Sequence, residues 1–325
     1  MAAGSPAAAT HLKSGVRPRN GALDMTQQHI GFIGIGMMGH GMARHLLANG
    51  FGLRFMVHRN RSTLQDLLDA GAREVASHSD LVQGADAVVL CVTGTPQIES
   101  ILLGDDGLLA HAAPGLLIID CSTAEPSSTT RMRQAAEARG CRYVDAPLAR
   151  TPKEAEEGRL NTMVGASDDD FARARPVLAA FCENIFHVGP AGHGHVVKLV
   201  NNMMAMTMAA SIAEAMATAA KAGVSLPKLF EVLSAGGVNS GILRMMLGPM
   251  LEGGKLDGLK FAIGSAQKDL RYYTHLAESL PTSAFIAEAA HQSFVQAANL
   301  GLSERFIASL FEAQERLNGV DIVPR

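Results

Sequence analysis

The sequence of 325 residues predicts an α/β fold, in which a doubly wound parallel sheet domain is followed by an all-helical C-terminal domain. From Ile30 to about Pro190, short apolar segments alternate with segments of helical spacing, as in strands joined by helices. Beyond Pro190 the remaining segments all have helical spacing. A length of about twice one average domain agrees with two separate cores.

The predicted elements follow one another along the chain. The predicted strands lie within the apolar segments IGFIGIG, LRFMVH, ADAVVLCVTG, PGLLIIDCST, CRYVDAP and LNTMVGA. The predicted C-terminal helices cover residues 195–222, 226–235, 242–252, 260–279 and 283–299. We therefore expect a disordered leader over residues 1–28, a sheet domain over residues 29–190 and a helical domain for substrate binding and dimerisation over residues 191–325.

Composition and charge exclude several classes of function. With 47% hydrophobic and 18% charged residues the chain is not typical of a disordered protein, and a net charge of −3 gives no basic surface for nucleic acid or an anionic membrane. The four cysteines form no C-x-x-C pair, so a redox pair is not predicted. Residues 203–220 are nearly uncharged, but Glu214 among them favours a buried helix over a membrane span. We expect a cytoplasmic protein with a small anionic substrate, while organelle targeting by residues 1–24 stays open.

A glycine motif follows the first predicted strand and opens the first predicted helix. In this strand–turn–helix context it predicts a dinucleotide site of the Rossmann type. The first glycine makes the tight turn, the second lets the backbone approach a pyrophosphate, and the third allows helix and strand to pack closely. The helix N-terminus then offers N–H groups to the anion. The predicted cofactor-binding residues are Gly34, Ile35, Gly36, Met37, Met38 and Gly39.

The end of the second predicted strand selects between the two nicotinamide cofactors. An acidic residue there binds the adenosine ribose of NAD, whereas arginine meets the 2′-phosphate of NADP. No acidic residue occurs between Phe51 and Gln65, and the segment contains Arg59, Asn60 and Arg61. These three residues are predicted to bind the cofactor, with NADP preferred and NAD as the alternative. Solvated loop charges are the other interpretation of the two arginines.

Three further segments, taken with the glycine motif, carry a resemblance to a known family. They are residues 120–126 (DCSTAEP), residues 145–147 (DAP) and residues 192–194 (GHG), the last leading to Lys198 and Asn202. In this order the sequence resembles the β-hydroxyacid dehydrogenase family. The resemblance implies hydride transfer between NADP or NAD and a small β-hydroxyacid or its semialdehyde, in a homodimer or homotetramer. It also implies cofactor contacts at four further positions, which are Val92, Thr93, Thr123 and Lys268.

Lys198 and Asn202 are the predicted catalytic residues. They are four residues apart in a helical segment, so both project from one face and can address one ligand. A carbonyl reductase must protonate the oxygen as hydride reaches the carbon, and a partly buried lysine can donate that proton. We therefore interpret Lys198 as the general acid in reduction and the general base in oxidation, with Asn202 orienting the substrate or the lysine. The alternative for a lone lysine is an ordinary surface position.

Three residues are predicted to bind the substrate. Ser122 follows a predicted strand at the sheet edge where ligands bind. The resemblance implies that it binds the anionic group of the substrate, and capping of the next helix is the alternative. Arg150 and Thr151 stand where the family commonly has Val-Ser-Gly-Gly, and this pair resembles the sulfolactaldehyde reductases of the same family. A guanidinium there suits a carboxylate, sulfonate or phosphonate. The alternative is that Arg150 pairs with Glu154 or Glu156.

Two other functions share the predicted scaffold. Imine reductases use it but usually replace the lysine, and a non-catalytic NADP-binding interaction protein would need no turnover. Lys198 is retained and the sequence shows no basic tail, so both are the less favoured alternatives. His193 and His195 form an H-x-H pair without an evident third ligand. They are interpreted as loop histidines near the cofactor, and no metal is predicted.

Overall fold

One sheet carries the N-terminal part of the chain. A computed structural model describes residues 28–57 and 64–324. Within these residues the strands are β1 His29–Ile33, β2 Gly52–Met56, β3 Arg73–Glu74, β4 Ala87–Leu90, β5 Leu117–Asp120, β6 Arg142–Asp145, β7 Leu148–Ala149, β8 Leu160–Gly165 and β9 Cys182–Gly189. Their order across the sheet is β3-β2-β1-β4-β5-β6-β8-β7, and β9 pairs with β8.

Strands β1 to β6 confirm the predicted parallel sheet. Each runs parallel to its neighbour from β3 through β2, β1, β4 and β5 to β6. β4 and β5 are buried along their whole length, which explains why their sequences lack polar alternation. Val89 and Ile119 belong to the core on one face of the sheet, and Val88 and Ile118 to the core on the other. Burial of both faces is the doubly wound arrangement that the sequence predicts.

Beyond β6 the strands no longer all run parallel to their neighbours. β8 runs antiparallel to both β6 and β7, and β9 runs parallel to β8. Residues 146–147 alone separate β6 from β7, and these two strands pair with β8 and not with each other. The sheet is therefore parallel over β1 to β6 and mixed as a whole.

Helices connect the strands and then form the whole C-terminal part. The connecting helices are α1 Gly39–Ala48, α2 Gln65–Asp69, α3 His78–Val82, α4 Thr95–Leu103, α5 Leu108–His111, α6 Pro126–Ala138, α7 Pro152–Glu156 and α8 Asp168–Ala179. The C-terminal helices are α9 His193–Lys221, α10 Leu226–Ala235, α11 Gly241–Gly253, α12 Ile263–Ser279, α13 Phe285–Ala297 and α14 Leu310–Asn318. A short π-helical segment, Ala298–Leu302, and a 3-10 turn, Ile307–Ser309, lie between α13 and α14. The described C-terminal part is helical, as predicted.

Helix α9 is the central helix of the C-terminal part. Its buried side chains, Met206 and Met216 among them, pack with those of α11, α12, α13 and α14. In the part of the chain that the structure describes, it is also the one helix whose length and apolar composition would allow it to cross a membrane. Packing in the core accounts for part of that composition. Four large apolar side chains on the opposite side of the helix stay exposed, namely Val197, Val200, Met204 and Met208.

Candidate active site

Close backbone contacts shape the glycine loop after β1. Gly34 has a φ of +110°, and a Cβ there would lie 2.1 Å from the carbonyl oxygen of Cys91. A Cβ on Gly39 would lie 2.0 Å from the carbonyl oxygen of Gly34. Both distances are far shorter than any nonbonded contact, so glycine is required at both ends of the loop.

Gly36 differs from these two glycines because it borders open space. A Cβ at this position would meet nothing within 4 Å beyond its chain neighbours. The gap lies at the start of α1, where the first N–H groups of a helix lack intrahelical partners and attract an anion. Ile35 is buried and Met38 packs against the core, while the Met37 side chain is 63% exposed. This loop, anchored on one side and open on the other, fits the pyrophosphate of a dinucleotide.

The loop after β4 lies against helix α12. A Cβ on Gly94 would be 2.8 Å from Tyr272 Oη and 3.4 Å from Lys268 Nζ. The Thr95 N–H donates to the same Tyr272 Oη at 3.2 Å, and Lys268 Nζ lies 4.7 Å from the Tyr272 ring centroid. The structure thus brings Lys268 next to Gly94, which directly follows residues 92–93, also predicted to bind the cofactor.

Ser122 joins the loop after β5 to the loop after β4. Its hydroxyl oxygen accepts a hydrogen bond from the Val92 N–H at 3.0 Å, and its own N–H donates to Asp120 Oδ1 at 2.9 Å. A hydroxyl group carries one proton besides its acceptor sites, so Ser122 can still donate to a ligand. Thr123 follows as a partly exposed residue. The N-cap of α6 is Glu125, so Ser122 is not the helix cap of the alternative interpretation.

Lys198 and Asn202 lie beside Asp269, a buried acidic residue of α12. Asn202 Nδ2 donates to Asp269 Oδ2 at 2.6 Å, and Lys268 Nζ donates to Asp269 Oδ1 at 2.6 Å. Burial lowers the pKa of Lys198, the Asp269 carboxylate opposes this change, and the Lys268 ammonium adds to it. Two predicted residues, Asn202 and Lys268, therefore bond to one carboxylate, and its charge acts on Lys198. Asp269 is not among the predicted site residues, although its place directly after Lys268 is a signal that could have found it.

Asp145, at the end of β6, holds the start of α9. Its Oδ1 accepts from the Gly192 N–H at 2.6 Å and its Oδ2 from the His195 N–H at 2.9 Å. A Cβ on Gly194 would lie 2.7 Å from Asp145 Oδ2, so the helix approaches the strand closely. Burial raises the pKa of Asp145, while the N–H donors and His195 favour its charged form. Asp145 thus fixes the helix that carries Lys198, a role that the DAP segment alone does not reveal.

The structure does not bring Arg150 into this cluster. Its guanidinium forms an ion pair with Glu183 of β9 and donates to the carbonyl oxygen of Arg159. Its φ of +81° is a left-handed conformation that favours glycine, at a place where the family commonly has glycine. The alternative partners named from the sequence are wrong, because Glu154 binds Thr151 and Glu156 binds residues of α1.

For four other predicted residues, the contacts described above do not test the predicted role. Glu154 Oε2 accepts from the Thr151 N–H at 3.0 Å and from the Thr151 hydroxyl at 2.5 Å, which caps α7. Thr151 therefore stays a prediction as a substrate-binding residue. Arg59, Asn60 and Arg61 lie outside the described residues. The preference for NADP over NAD stays a prediction as well.

Family models match both parts of the chain. Residues 29–189 match a model described as the NAD binding domain of 6-phosphogluconate dehydrogenase. Residues 192–311 match a model described as NAD-binding of NADP-dependent 3-hydroxyisobutyrate dehydrogenase. Among curated proteins, an NAD-dependent L-serine dehydrogenase of Pseudomonas aeruginosa is 40% identical over 212 residues, which are 65% of this chain and 71% of that protein.

Two solved structures share the fold over nearly their whole length. The Mycobacterium tuberculosis 3-hydroxyisobutyrate dehydrogenase with L-serine has a TM-score of 0.78 and 26% identity, over 88% of this chain and 98% of that chain. Psf3 in complex with NADP+ and 2-OPP has a TM-score of 0.76 and 25% identity, over 87% of this chain and 99% of that chain. Both matches extend over the sheet and the C-terminal helices together.

Proposed function

Because the chain belongs to the β-hydroxyacid dehydrogenase family, and is an NAD(P)-dependent oxidoreductase, we propose that it interconverts a small β-hydroxyacid and its semialdehyde with Lys198 as the acid and base. The observation that carries the proposal is the buried Asp269, which bonds to Asn202 and Lys268 and whose charge acts on Lys198. Lys268 lies against the loop after β4, and Ser122 is bonded to that same loop. These contacts join α12 to the loops after β4 and β5, which supports a shared site for cofactor binding and proton transfer.

Lys198 supplies the proton that the reaction requires. When bound, a nicotinamide cofactor would supply or accept the hydride. In reduction the Lys198 ammonium donates a proton to the carbonyl oxygen, and in oxidation the neutral amine takes the proton from the hydroxyl group. Burial and the Lys268 ammonium lower the pKa of Lys198, which makes the neutral amine easier to reach. Asn202 is held by Asp269 and orients the substrate or the lysine.

The substrate that these residues favour is a small carboxylate. Ser122 retains a hydroxyl proton for the anionic group. L-serine, named for the P. aeruginosa relative and the M. tuberculosis structure, is itself a β-hydroxyacid. The Arg150 guanidinium is already engaged by Glu183, which favours a carboxylate over the sulfonate that Arg150 would otherwise suggest. Arg150 and Thr151 remain candidates for binding the substrate.

The proposal is tested by NADPH oxidation with a panel of small aldehydes. The panel contains succinate semialdehyde, methylmalonate semialdehyde, tartronate semialdehyde and sulfolactaldehyde, and L-serine with NADP+ tests the reverse direction. Lys198→Met should lower kcat by about 10²- to 10⁴-fold, the usual contribution of a general acid. Binding of NADPH, measured by fluorescence, should stay within about twofold because Lys198 acts on the substrate oxygen.

A matched control is the exposed lysine of α10. Lys228 pairs with Glu231 on its own helix, so Lys228→Met should leave turnover unchanged. Wild-type turnover in Lys198→Met would overturn the role of the lysine. Binding of NADPH without turnover of any panel member would overturn the substrate class and return the imine and non-catalytic alternatives.

Preference for NADP is a separate part of the proposal. It depends on Arg59 and Arg61, which would meet the 2′-phosphate. Replacing both by alanine should lower kcat/KM for NADPH by at least about tenfold, since each loses a charge-assisted contact. The value for NADH should stay unchanged and serves as the internal control. An equal loss with both cofactors would contradict the preference.

The proposed enzyme is a homo-oligomer that uses the exposed side of α9. Val200, Met204 and Met208 form an apolar row there, and Met204 is 63% exposed. Apolar rows of this kind mark protein contacts. Light scattering should show a dimer or tetramer for the wild type, and Met204→Glu should shift it toward the monomer. A monomeric wild type would contradict this part, and the expected cytoplasmic location stays a prediction.

A further inference from the structure

Two carboxylates lie side by side beneath the active site. Asp120 and Asp145 end neighbouring strands β5 and β6 and are register partners, and both are fully buried. Neighbouring strands are about 4.8 Å apart, so two such carboxylates repel each other in a medium that screens charge poorly. The fold therefore has to compensate for a pair of negative charges at this point.

The hydrogen bonds to the two carboxylates come from neutral donors. Asp120 accepts from the Ser122 N–H at 2.9 Å and from the Tyr143 hydroxyl at 2.6 Å, and Asp145 accepts from two N–H groups of the α9 terminus. Burial and the Asp120 carboxylate raise the pKa of Tyr143, so its hydroxyl remains a donor. These bonds satisfy the oxygens but leave the charge in place.

His195 is the basic side chain that reaches both carboxylates. Its Nε2 lies 3.9 Å from Asp120 Oδ2 and its Nδ1 lies 4.0 Å from Asp145 Oδ2, and the ring is fully buried. Over the described residues, no Lys or Arg nitrogen lies within 4.0 Å of either carboxylate. The His195 ring therefore lies between the two carboxylates.

The ring of His195 also contacts α6, the helix that follows the loop containing Ser122. Its Nδ1 lies 2.7 Å from Thr129 Oγ1 in α6. The Thr129 hydroxyl donates to the Glu125 carbonyl oxygen at 3.2 Å, so its oxygen accepts from Nδ1–H. The buried Nε2 then points at Asp120 without a hydrogen-bond partner of its own. Such an atom needs an explanation, because buried polar atoms are nearly always bonded.

We propose that His195 is a positioning residue, which sets Lys198 relative to Ser122 by joining both carboxylates to α6. Asp120 holds the Ser122 N–H, and Asp145 holds the first turn of α9. His195 lies in that turn, three residues before Lys198. The inference rests on the proposed acid–base role of Lys198. It adds that the proton donor is placed by a buried histidine that itself touches no substrate.

The test compares His195→Gln, Thr129→Val and Thr129→Ser in the full-length enzyme. His195→Gln and Thr129→Val should lower kcat for aldehyde reduction by about 10- to 100-fold, because a shift of about 1 Å in a catalytic group can cost that much. KM for NADPH should stay within about twofold. Thr129→Ser keeps the hydroxyl group and should restore most of kcat. The deuterium isotope effect on kcat, measured with NADPH deuterated at the transferred position, should rise in the two impaired variants.

His291→Gln is the matched control. His291 of α13 also has a ring nitrogen without a partner, but it is not close to either carboxylate and should keep wild-type kcat. Wild-type kcat in His195→Gln would overturn the inference. Equal losses of kcat, NADPH binding and Tm in Thr129→Val and Thr129→Ser would also overturn it, since they indicate a merely structural contact. If Lys198→Met keeps wild-type turnover, the proposed function itself fails, whereas an inactive Lys198→Met with normal His195→Gln removes this inference alone.

Discussion

Lys198 and Arg150 are two cationic side chains that the sequence assigns to the substrate, and their surroundings in the structure differ. Lys198 lies on a long helix, four residues before Asn202, and the charges of Asp269 and Lys268 both act on its pKa. Arg150 lies on a loop with a left-handed backbone, and its side chain, 29% exposed, binds Glu183 at the edge of the sheet. A helix fixes the direction of its side chains, whereas a long side chain on a loop can reach several different partners.

The two charges also differ in how strongly their surroundings act on them. Around Lys198, burial and a second ammonium oppose a carboxylate, so the pKa of Lys198 depends on every member of the cluster. Around Arg150, one partly exposed ion pair is screened by water and salt. Substitutions near Lys198 should therefore change the chemistry, and those near Arg150 should change little. The following predictions can break this distinction.

Among substitutions of the residues that act on Lys198 or Arg150, Asp269→Asn should have the largest effect on turnover. It removes the carboxylate that opposes the lowering of the Lys198 pKa, so that pKa falls further. Reduction needs the protonated amine, so the alkaline limb of the kcat profile should move to lower pH. At pH 8 kcat should fall by about 10- to 100-fold, also because Asn202 loses its anionic acceptor. Asp257→Asn, at an exposed position before α12, is the control, and a limb that stays in place or moves to higher pH would contradict the prediction.

Lys268→Met should move the same limb in the opposite direction. The Lys268 ammonium lowers the pKa of Lys198, so its removal raises that pKa and extends reduction to higher pH. KM for NADPH should rise by up to about tenfold, because Lys268 lies against a loop predicted to bind the cofactor. The measurement is kcat and KM from pH 6 to 10 with both variants. Shifts of the same sign in both variants would mean that Asp269 and Lys268 act by position and not by charge.

Much of the fold and part of the site could be predicted because the rules involved are local. The requirement for glycine at Gly34 and Gly39 arises within one strand–turn–helix unit. The common face of Lys198 and Asn202 follows from their spacing on one helix. Strand direction beyond β6 could not be predicted, because an apolar segment identifies a strand and not its orientation.

The carboxylates were missed because their burial depends on distant contacts. Asp145 binds the N–H of Gly192, 47 residues later, and Asn202 binds Asp269, 67 residues later. No spacing rule connects residues so far apart in sequence. The same reason explains why the alternative partners predicted for Arg150 are wrong. Glu183 is 33 residues away, whereas Glu154 and Glu156 are close in sequence.

Arg150→Gly should have a small effect on both stability and activity. It removes a left-handed non-glycine residue, which costs about 1 kcal/mol, but it also loses an ion pair and makes the unfolded chain more flexible. The free energy of unfolding in urea should change by less than about 1 kcal/mol, and kcat/KM for carboxylate substrates by less than about twofold. A loss above about tenfold, confined to the sulfonate substrate, would place Arg150 in the pocket as the sequence predicts.

Glu183→Gln should have the smallest effect on stability and turnover. It tests whether the ion pair between Arg150 and Glu183 contributes to the stability of the fold. The pair is partly exposed, so its loss should lower the free energy of unfolding by less than about 0.5 kcal/mol. The difference from wild type should also shrink as salt rises from about 0.05 M to about 0.5 M. A loss above about 1 kcal/mol that resists salt, together with a fall in kcat, would mean that Glu183 holds residues 148–151 in place. The loop would then be as firmly built as the helix that carries Lys198, and exposure would be a poor guide to which of the two charges matters.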